Sequence, residues 1–299
     1  NNGRLPFEAA GIRRVLAPHD LILMTGSPEF EEVWFDQGGL MPDDAKTIQL
    51  CSAASRAAFK FPVSLCLLGD LKTSISSILR HLKTTAGKVY EADSIARNEA
   101  LAIKHLANVT ASEARLKSQW DYQPMTPARA IWEISSAIPE GTIVVDESIT
   151  ASVEIAAGFE FSSPGDYFGG RGGGIGQGIP GALGVKVAHM ARPVLCTSGD
   201  GSAMYSIQAL WTAAHHDLAI VFVIFSNKEY RVLKHNIDIY RNRFGQTSNK
   251  PYPHMDLTHP MLGFSEMARG MGLAAESVED ANDLAGAIER GFDSGKPYL

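Results

Sequence analysis

Two doubly wound α/β domains with mainly parallel sheets are the architecture this sequence predicts. Three observations carry that expectation. Short apolar runs of strand length alternate with amphipathic helical stretches along most of the chain, the pattern of β-α-β units. The longest apolar run, Leu218 to Phe225, has eight residues and suits a strand buried on both faces. The 299 residues exceed what one core usually organises, and 45% hydrophobic with 20% charged residues supply packed interiors.

In chain order, the pattern predicts a helix from Phe7 to Leu16 and strands at Leu21 to Thr25, Thr47 to Cys51 and Val63 to Leu67. A further helix from Ser74 to Lys83 places Ile75, Ile78, Leu79 and Leu82 on one face. Residues 1–90 thus read as one α/β domain. Residues 91–124 are charged, alanine-rich and almost free of Gly and Pro, the composition of a solvated helical linker, with the boundary near Trp120 to Met125. Residues 125–299 form the second domain. It opens with Thr126 as N-cap and Pro127 at the first helical position, the helix reaching about Ala137. A strand at Thr142 to Val145 ends in Asp146-Glu147-Ser148. A glycine-dense stretch, Gly169 to Gly184, leads into a helix ending near Met190. A strand at Val194 to Thr197, the loop Gly199-Asp200-Gly201-Ser202, a helix from Ser206 to His215 and a strand at Ala219 to Phe225 follow.

The formal charge of -6 argues against broad nucleic-acid or anionic-membrane partners, which need a basic face. Eight apolar residues fall far short of the roughly 20 that cross a bilayer. Cys51, Cys66 and Cys196 form no CxxC pair and read as reduced core thiols of a cytoplasmic protein.

Two polar loops carry the chemistry. Gly199-Asp200-Gly201-Ser202 and Ser226-Asn227-Lys228-Glu229 each follow an apolar strand, and a right-handed crossover between those strands brings both to one carboxyl edge. Asp200 offers a carboxylate oxygen, Asn227 an amide oxygen and Glu229 a main-chain carbonyl, the hard oxygen set that Mg²⁺ or Ca²⁺ favours. Gly199 and Gly201 let the backbone approach an anion, and Ser202 can donate to phosphate. Gly176-Gln177-Gly178-Ile179-Pro180-Gly181 satisfies GxGxxG, yet no apolar strand precedes it and Pro180 occupies the turn, so it is set aside as a dinucleotide site.

Gly199-Asp200-Gly201 with twenty-five residues before Asn227, in the texts GDGSAMYSIQALWTAA and VIFSNKEY, resembles the cofactor motif of the thiamine diphosphate (ThDP)-dependent decarboxylase and acetolactate synthase family, and is most similar to its benzoylformate decarboxylases. The resemblance implies ThDP and Mg²⁺ (or Ca²⁺) as cofactors. Asp200, Asn227 and Glu229 would ligate the metal, Ser202 would contact the diphosphate, and Gly199, Gly201 and Tyr230 would belong to the cofactor-binding set. Glu147, Ser148 and Ile149 match a loop at the diphosphate end, and Gly173 to Pro180 matches a glycine-rich loop in which Ile175, next to Gly174, would prop the cofactor into its bent shape. Residues 1–90 are similar to the family's middle domain, which sometimes binds a nucleotide.

The implied activity is cleavage or formation of a C–C bond next to a carbonyl, on a 2-keto acid or a diketone. The alternatives are an acetolactate synthase-like carboligase, a C–C hydrolase, or a non-catalytic binding module. No catalytic residue is expected in this chain: the activating glutamate belongs to a pyrimidine-binding domain of a neighbouring subunit in a homodimer or homotetramer, both ends of the sequence look cut, and the chain alone is expected to be nearly inactive. Val232, Leu233 and Asn236 are the substrate-pocket candidates. Three departures blur the substrate: Val33 where benzoylformate decarboxylases carry a histidine, Arg231 where glycine is usual, and Asn236 where an aromatic would stand. A substrate less apolar than benzoylformate is the expectation. His215 and His216 read as the polar end of a helix, whereas Lys234 and His235 are candidates to approach substrate.

Overall fold

The computed structural model describes residues 5–6, 9–26, 39–59, 61–170, 174–248 and 250–299. Val33 and Gly173 lie outside them, as does the start of the helix expected from Phe7. The chain divides into two compact units, Asn1–Asn108 and Val109–Leu299, and the division falls inside one long helix.

In the first unit, helix α1 (Ala9–Leu16) precedes strands β1 (Leu21–Thr25), β2 (Lys46–Cys51) and β3 (Leu65–Leu68), which pair in parallel in that order. Strand periodicity decides what is buried: Ile22 and Met24 face Ala9, Ile12 and Leu16 of α1, while Leu21 and Leu23 point outward. Helix α2 (Leu71–Thr85) forms because Asp70 caps it, its Oδ1 accepting the Thr73 N–H at 2.8 Å. Of the predicted face, Ile75, Leu79 and Leu82 are exposed and Ile78 is half-buried, and no described side chain of α2 is buried. Helix α3 (Lys88–Ser118) follows and crosses the division between the units.

The second unit opens on α4 (Pro127–Ala137), whose cap Thr126 accepts the Arg129 N–H at 3.2 Å. Then come β4 (Ile143–Glu147), α5 (Ser152–Gly158), β5 (Tyr167–Gly169), α6 (Gly178–Ala188), β6 (Val194–Gly199), α7 (Asp200–Ala203), α8 (Ala209–His215), β7 (Val221–Phe225), α9 (Arg231–Arg243), α10 (Phe264–Gly270) and α11 (Ala281–Asp293). The sheet is parallel in the order β5-β4-β6-β7. Burial of every residue of β4 follows from cover on both faces: Ile143 and Val145 pack with Cys196, Phe222, Ile179 and Leu210, whereas Val144 packs with Leu195, Ile131, Ile134 and Ile288. Tyr298 lies beside β7, its N–H donating to Ile220 O at 3.0 Å and its carbonyl accepting from Phe222 N at 2.8 Å. Three residues of β5 are too few to leave a periodic signal, which is why the edge strand was not expected. The loop expected at Gly199 to Ser202 is instead a strand end followed by a helical turn beginning at Asp200.

One buried ion pair locks α4 in place. Arg129 Nε donates to Glu133 Oε1 at 2.7 Å, its other nitrogens to Trp120 O and Asn282 Oδ1 at 3.1 Å each, and its guanidinium lies 3.5 Å from the Trp120 ring centroid. Removing one member of such a pair strands the other charge. Arg129→Met is expected to lower the unfolding free energy by about 3–5 kcal/mol in urea titrations, and Arg129→Met with Glu133→Leu to recover most of the loss.

On α11, the Arg290 guanidinium hydrogen-bonded to Glu276 holds that carboxyl below its ordinary value of 4.5, with the Tyr298 hydroxyl as a second donor. A depressed carboxyl stabilises the fold above its unfolded value, and that contribution disappears as pH falls through the folded one. Glu276→Gln is therefore expected to flatten the acid limb of the melting temperature against pH below about 4.5.

Candidate functional site

Three strands deliver the site. Register aligns Asp146 with Thr197, Glu147 with Ser198, and Gly199 with Phe225, so the ends of β4, β6 and β7 stand level. In an open parallel sheet that carboxyl edge is where ligands bind.

Asp200 joins two of the loops. Its Oδ1 accepts the Gly201 N–H and its Oδ2 the Lys228 N–H, each at 2.7 Å, so one carboxylate ties the end of β6 to the turn after β7. The residue is 3% exposed, and burial pushes its carboxyl above the ordinary range, against backbone amides that pull it down, those of Gly201 and Lys228 foremost. Gly201 is required by contact: a Cβ there would sit 2.5 Å from the Tyr230 ring. Ser202 is buried in the helical turn behind Asp200.

The loop after β7 is shaped by its own polar groups. Asn227 Oδ1 accepts the Glu229 N–H at 3.0 Å, and Lys228 between them takes a left-handed backbone, φ 63°. Glu229 pairs with Asp256 across a two-residue ladder in which Tyr230 N donates to Met255 O and Leu257 N to Lys228 O, both at 2.8 Å. In that pairing the opposed residues turn their own N–H and C=O away from the ladder. The Glu229 N–H therefore meets Asn227, and its carbonyl is directed to the same outer side.

At the end of β4, two adjacent carboxylates are used differently because strand geometry sends them to opposite faces. Asp146 accepts from Ser148 N (2.8 Å), Ser148 Oγ (2.5 Å), Thr197 Oγ1 (3.0 Å) and the Tyr167 hydroxyl (2.9 Å), which fixes the turn carrying Ser148. Glu147 receives Gln177 N and Gly178 N at 3.0 Å each, holding the first turn of α6 and the glycine-rich segment before it. Gly178 admits no side chain, since a Cβ would lie 2.7 Å from that of Glu147. Gln177 Nε2 donates to Gly174 O at 2.9 Å, and Ile175 is half-buried beside it. Ile149 is 37% exposed in the left-handed region, φ 55°, a costly backbone for a β-branched residue.

The structure thus brings Gly199, Asp200, Gly201, Asn227, Glu229 and Tyr230 together by hydrogen bond or packing, and Glu147 with the Gly174–Gly178 segment. Val232 and Asn236, four apart on α9, are half-buried on one face, and Leu233 is exposed. Lys234 is held in ion pairs with Glu229 and Asp256. Sequence reading missed Asp146, Thr197, Tyr167 and Gln177 as supports. Only the β4–β6 register would have paired Asp146 with Thr197, and Gln177 gave no signal apart from its place in the glycine run.

The donors fit a hard cation beside an anion. Among the described residues no group of three or more His, Cys, Asp or Glu could hold a metal by itself. One buried carboxylate, one amide oxygen and one outward carbonyl match instead the few protein ligands that suffice for Mg²⁺ when phosphate oxygens complete the shell.

The family described as thiamine pyrophosphate enzyme, C-terminal TPP binding domain, matches residues 150–299, and the chain belongs to it. It is 31% identical over 297 residues to the benzoylformate decarboxylase of Pseudomonas aeruginosa, an alignment covering 99% of this chain and 51% of that protein. It is 30% identical over 136 residues to an acetolactate synthase large subunit of Haemophilus influenzae, covering 45% of this chain and 22% of the other. The solved thiamine diphosphate-dependent 4-hydroxybenzoylformate decarboxylase of Rhodococcus jostii RHA1 superposes with a TM-score of 0.77 at 23% identity, over 99% of this chain and 50% of that one, a likeness of fold. The chain spans about half the length of the curated benzoylformate decarboxylase it matches. Among the described residues no helix is long and apolar enough to cross a membrane.

Glu147→Gln would turn an amide NH₂ toward the N–H of Gln177 or Gly178. Leaving one such buried donor unpaired costs about 1–3 kcal/mol, so the variant is expected to unfold earlier in urea by that amount and to show faster amide exchange in the first turn of α6.

Proposed function

We propose that this chain supplies the diphosphate- and metal-binding half of a ThDP-dependent enzyme that cleaves or forms a C–C bond next to a carbonyl, most plainly a 2-keto acid decarboxylase of the benzoylformate decarboxylase type. The observation that carries the reading is the Asp200 carboxylate, buried and raised, binding the amides of both loops that follow β6 and β7. A second reading, an acetolactate synthase-like carboligase, rests on the similarity to acetolactate synthase large subunits.

In this reading Asp200, Asn227 Oδ1 and the Glu229 carbonyl ligate Mg²⁺ or Ca²⁺, and Ser148 and Ser202 face the diphosphate. Ile149, Gly199, Gly201 and Tyr230 line that end of the cofactor site, and Gly174 and Ile175 shape the end toward its rings. When bound, ThDP supplies an electron sink for a bond broken beside a carbonyl. The chain's own contribution is posture. Asp200 and the Asp146 network fix two loops through the protein's own hydrogen bonds, and Val232, Leu233 and Asn236 border the substrate. With a single carboxylate at the metal, cation and diphosphate depend on each other's charge for affinity, so their binding is mutual. The proton chemistry at the pyrimidine ring is assigned to a glutamate on a domain of a neighbouring subunit, in a homodimer or homotetramer.

Calorimetric titration of ThDP with and without Mg²⁺ tests the assignment. Binding is expected only with the cation, and Asp200→Asn, which keeps an acceptor for one amide, is expected to weaken it by a factor on the order of 10² while the variant remains folded. Metal-independent binding, or wild-type affinity in Asp200→Asn, would contradict it.

A further inference from the structure

We propose that Lys234 is a positioning residue for the metal site, acting through the side chain of Glu229 to fix the direction of the Glu229 carbonyl; the inference rests on the cofactor reading above. Lys234 Nζ lies 2.5 Å from Glu229 Oε2 and 2.6 Å from Asp256 Oδ1. Those residues are the two partners of the short ladder that turns the Glu229 carbonyl outward. The ammonium thus reaches both sides of the pairing on which that orientation depends; the Asp256 side chain is 62% exposed and screened by water, so the contact with Glu229 carries the clamp.

Exposure singles out Lys234 over its neighbour. Arg231 also reaches Glu229, at 2.6 Å, but its side chain is 65% exposed and the pair is screened by water. The Lys234 and Glu229 side chains are each 18% exposed, and the Tyr252 ring centroid lies 5.8 Å from the ammonium. The clamp also stands against a local preference. Arg231 and Lys234 lie in the first turn of α9, which holds no acidic residue, and the helix dipole disfavours cations there. Their presence is accounted for by the carboxylate just upstream.

The clamp has a second consequence. An unrestrained Glu229 carboxylate could swing onto the cation as an anionic ligand in place of its own carbonyl. Lys234 on Oε2, with the more exposed Arg231 on Oε1, holds it away, so the site would keep one negative protein ligand, Asp200, and the remaining charge would come from the diphosphate.

The test is a titration of Mn²⁺ into the protein at saturating ThDP, reading free Mn²⁺ by electron paramagnetic resonance. Circular dichroism and melting curves establish that each variant is folded. Lys234→Met is expected to weaken Mn²⁺ binding about 10- to 100-fold, the range found for groups that orient metal ligands, and Lys234→Arg to restore most of it. Glu229→Gln leaves the main-chain carbonyl in place and is expected to cost a similar factor. Combining Glu229→Gln with Lys234→Met should cost no more than Glu229→Gln alone, because the two act as one unit. Wild-type affinity in folded Lys234→Met overturns the proposal. So does wild-type affinity in Glu229→Gln, whether or not the lysine variant folds. A full-length wild-type assembly that takes up no Mn²⁺ with ThDP overturns the cofactor reading and this role together.

Discussion

The second unit is organised around a buried negative charge that receives hydrogen bonds from two directions. Asp200 follows β6 directly, and its two oxygens are divided between an amide of its own turn and an amide from the turn after β7. Level strand ends make this possible, because the register opposes Gly199 to Phe225 and leaves the residues that follow within one carboxylate's reach. Neutral donors offset part of the desolvation and not all of it, so the carboxyl is raised by burial. A cation at that point would remove the remaining cost.

The rest of the edge is built to hold that arrangement still. Asp146 and Glu147 are neighbours in sequence and work on opposite faces of β4. The first gathers a turn amide and three hydroxyls, and the second anchors the glycine-rich segment through two amides at the first turn of α6. Left-handed backbones at Ile149 and Lys228 fall immediately beside these networks, one after Ser148 and one between Asn227 and Glu229. Such backbones persist only where several bonds over-determine them, and strained turns of this kind concentrate where ligands are held.

Glycines at the site are explained by close contact as much as by backbone freedom. Gly201 leaves space for the Tyr230 ring, and Gly178 for the Glu147 side chain. Gly176 combines both reasons, with φ 95° and the Tyr205 side chain where a Cβ would be, 2.6 Å away. A glycine-rich segment that reads in sequence as room for an anion is therefore also room for the protein's own side chains.

Several features were fixed by local chemistry and so could be read directly. The Thr126 cap with Pro127, the strand at Leu21–Thr25 and the continuous apolar strands of the second unit depend only on propensity, capping and periodicity, which act within a few residues. Asp200 and Asn227 were legible because motif spacing stands in for the strand–helix–strand geometry that joins them. Tertiary structure alone decided the rest. That Asp146 meets Thr197 51 positions away, that Glu147 holds Gly178, and that Lys234 bridges Glu229 and Asp256 are outcomes of register and packing. Periodicity tells each element which face is apolar; it carries no record of what will be placed against that face, because that is settled only when distant segments compete for the same surface.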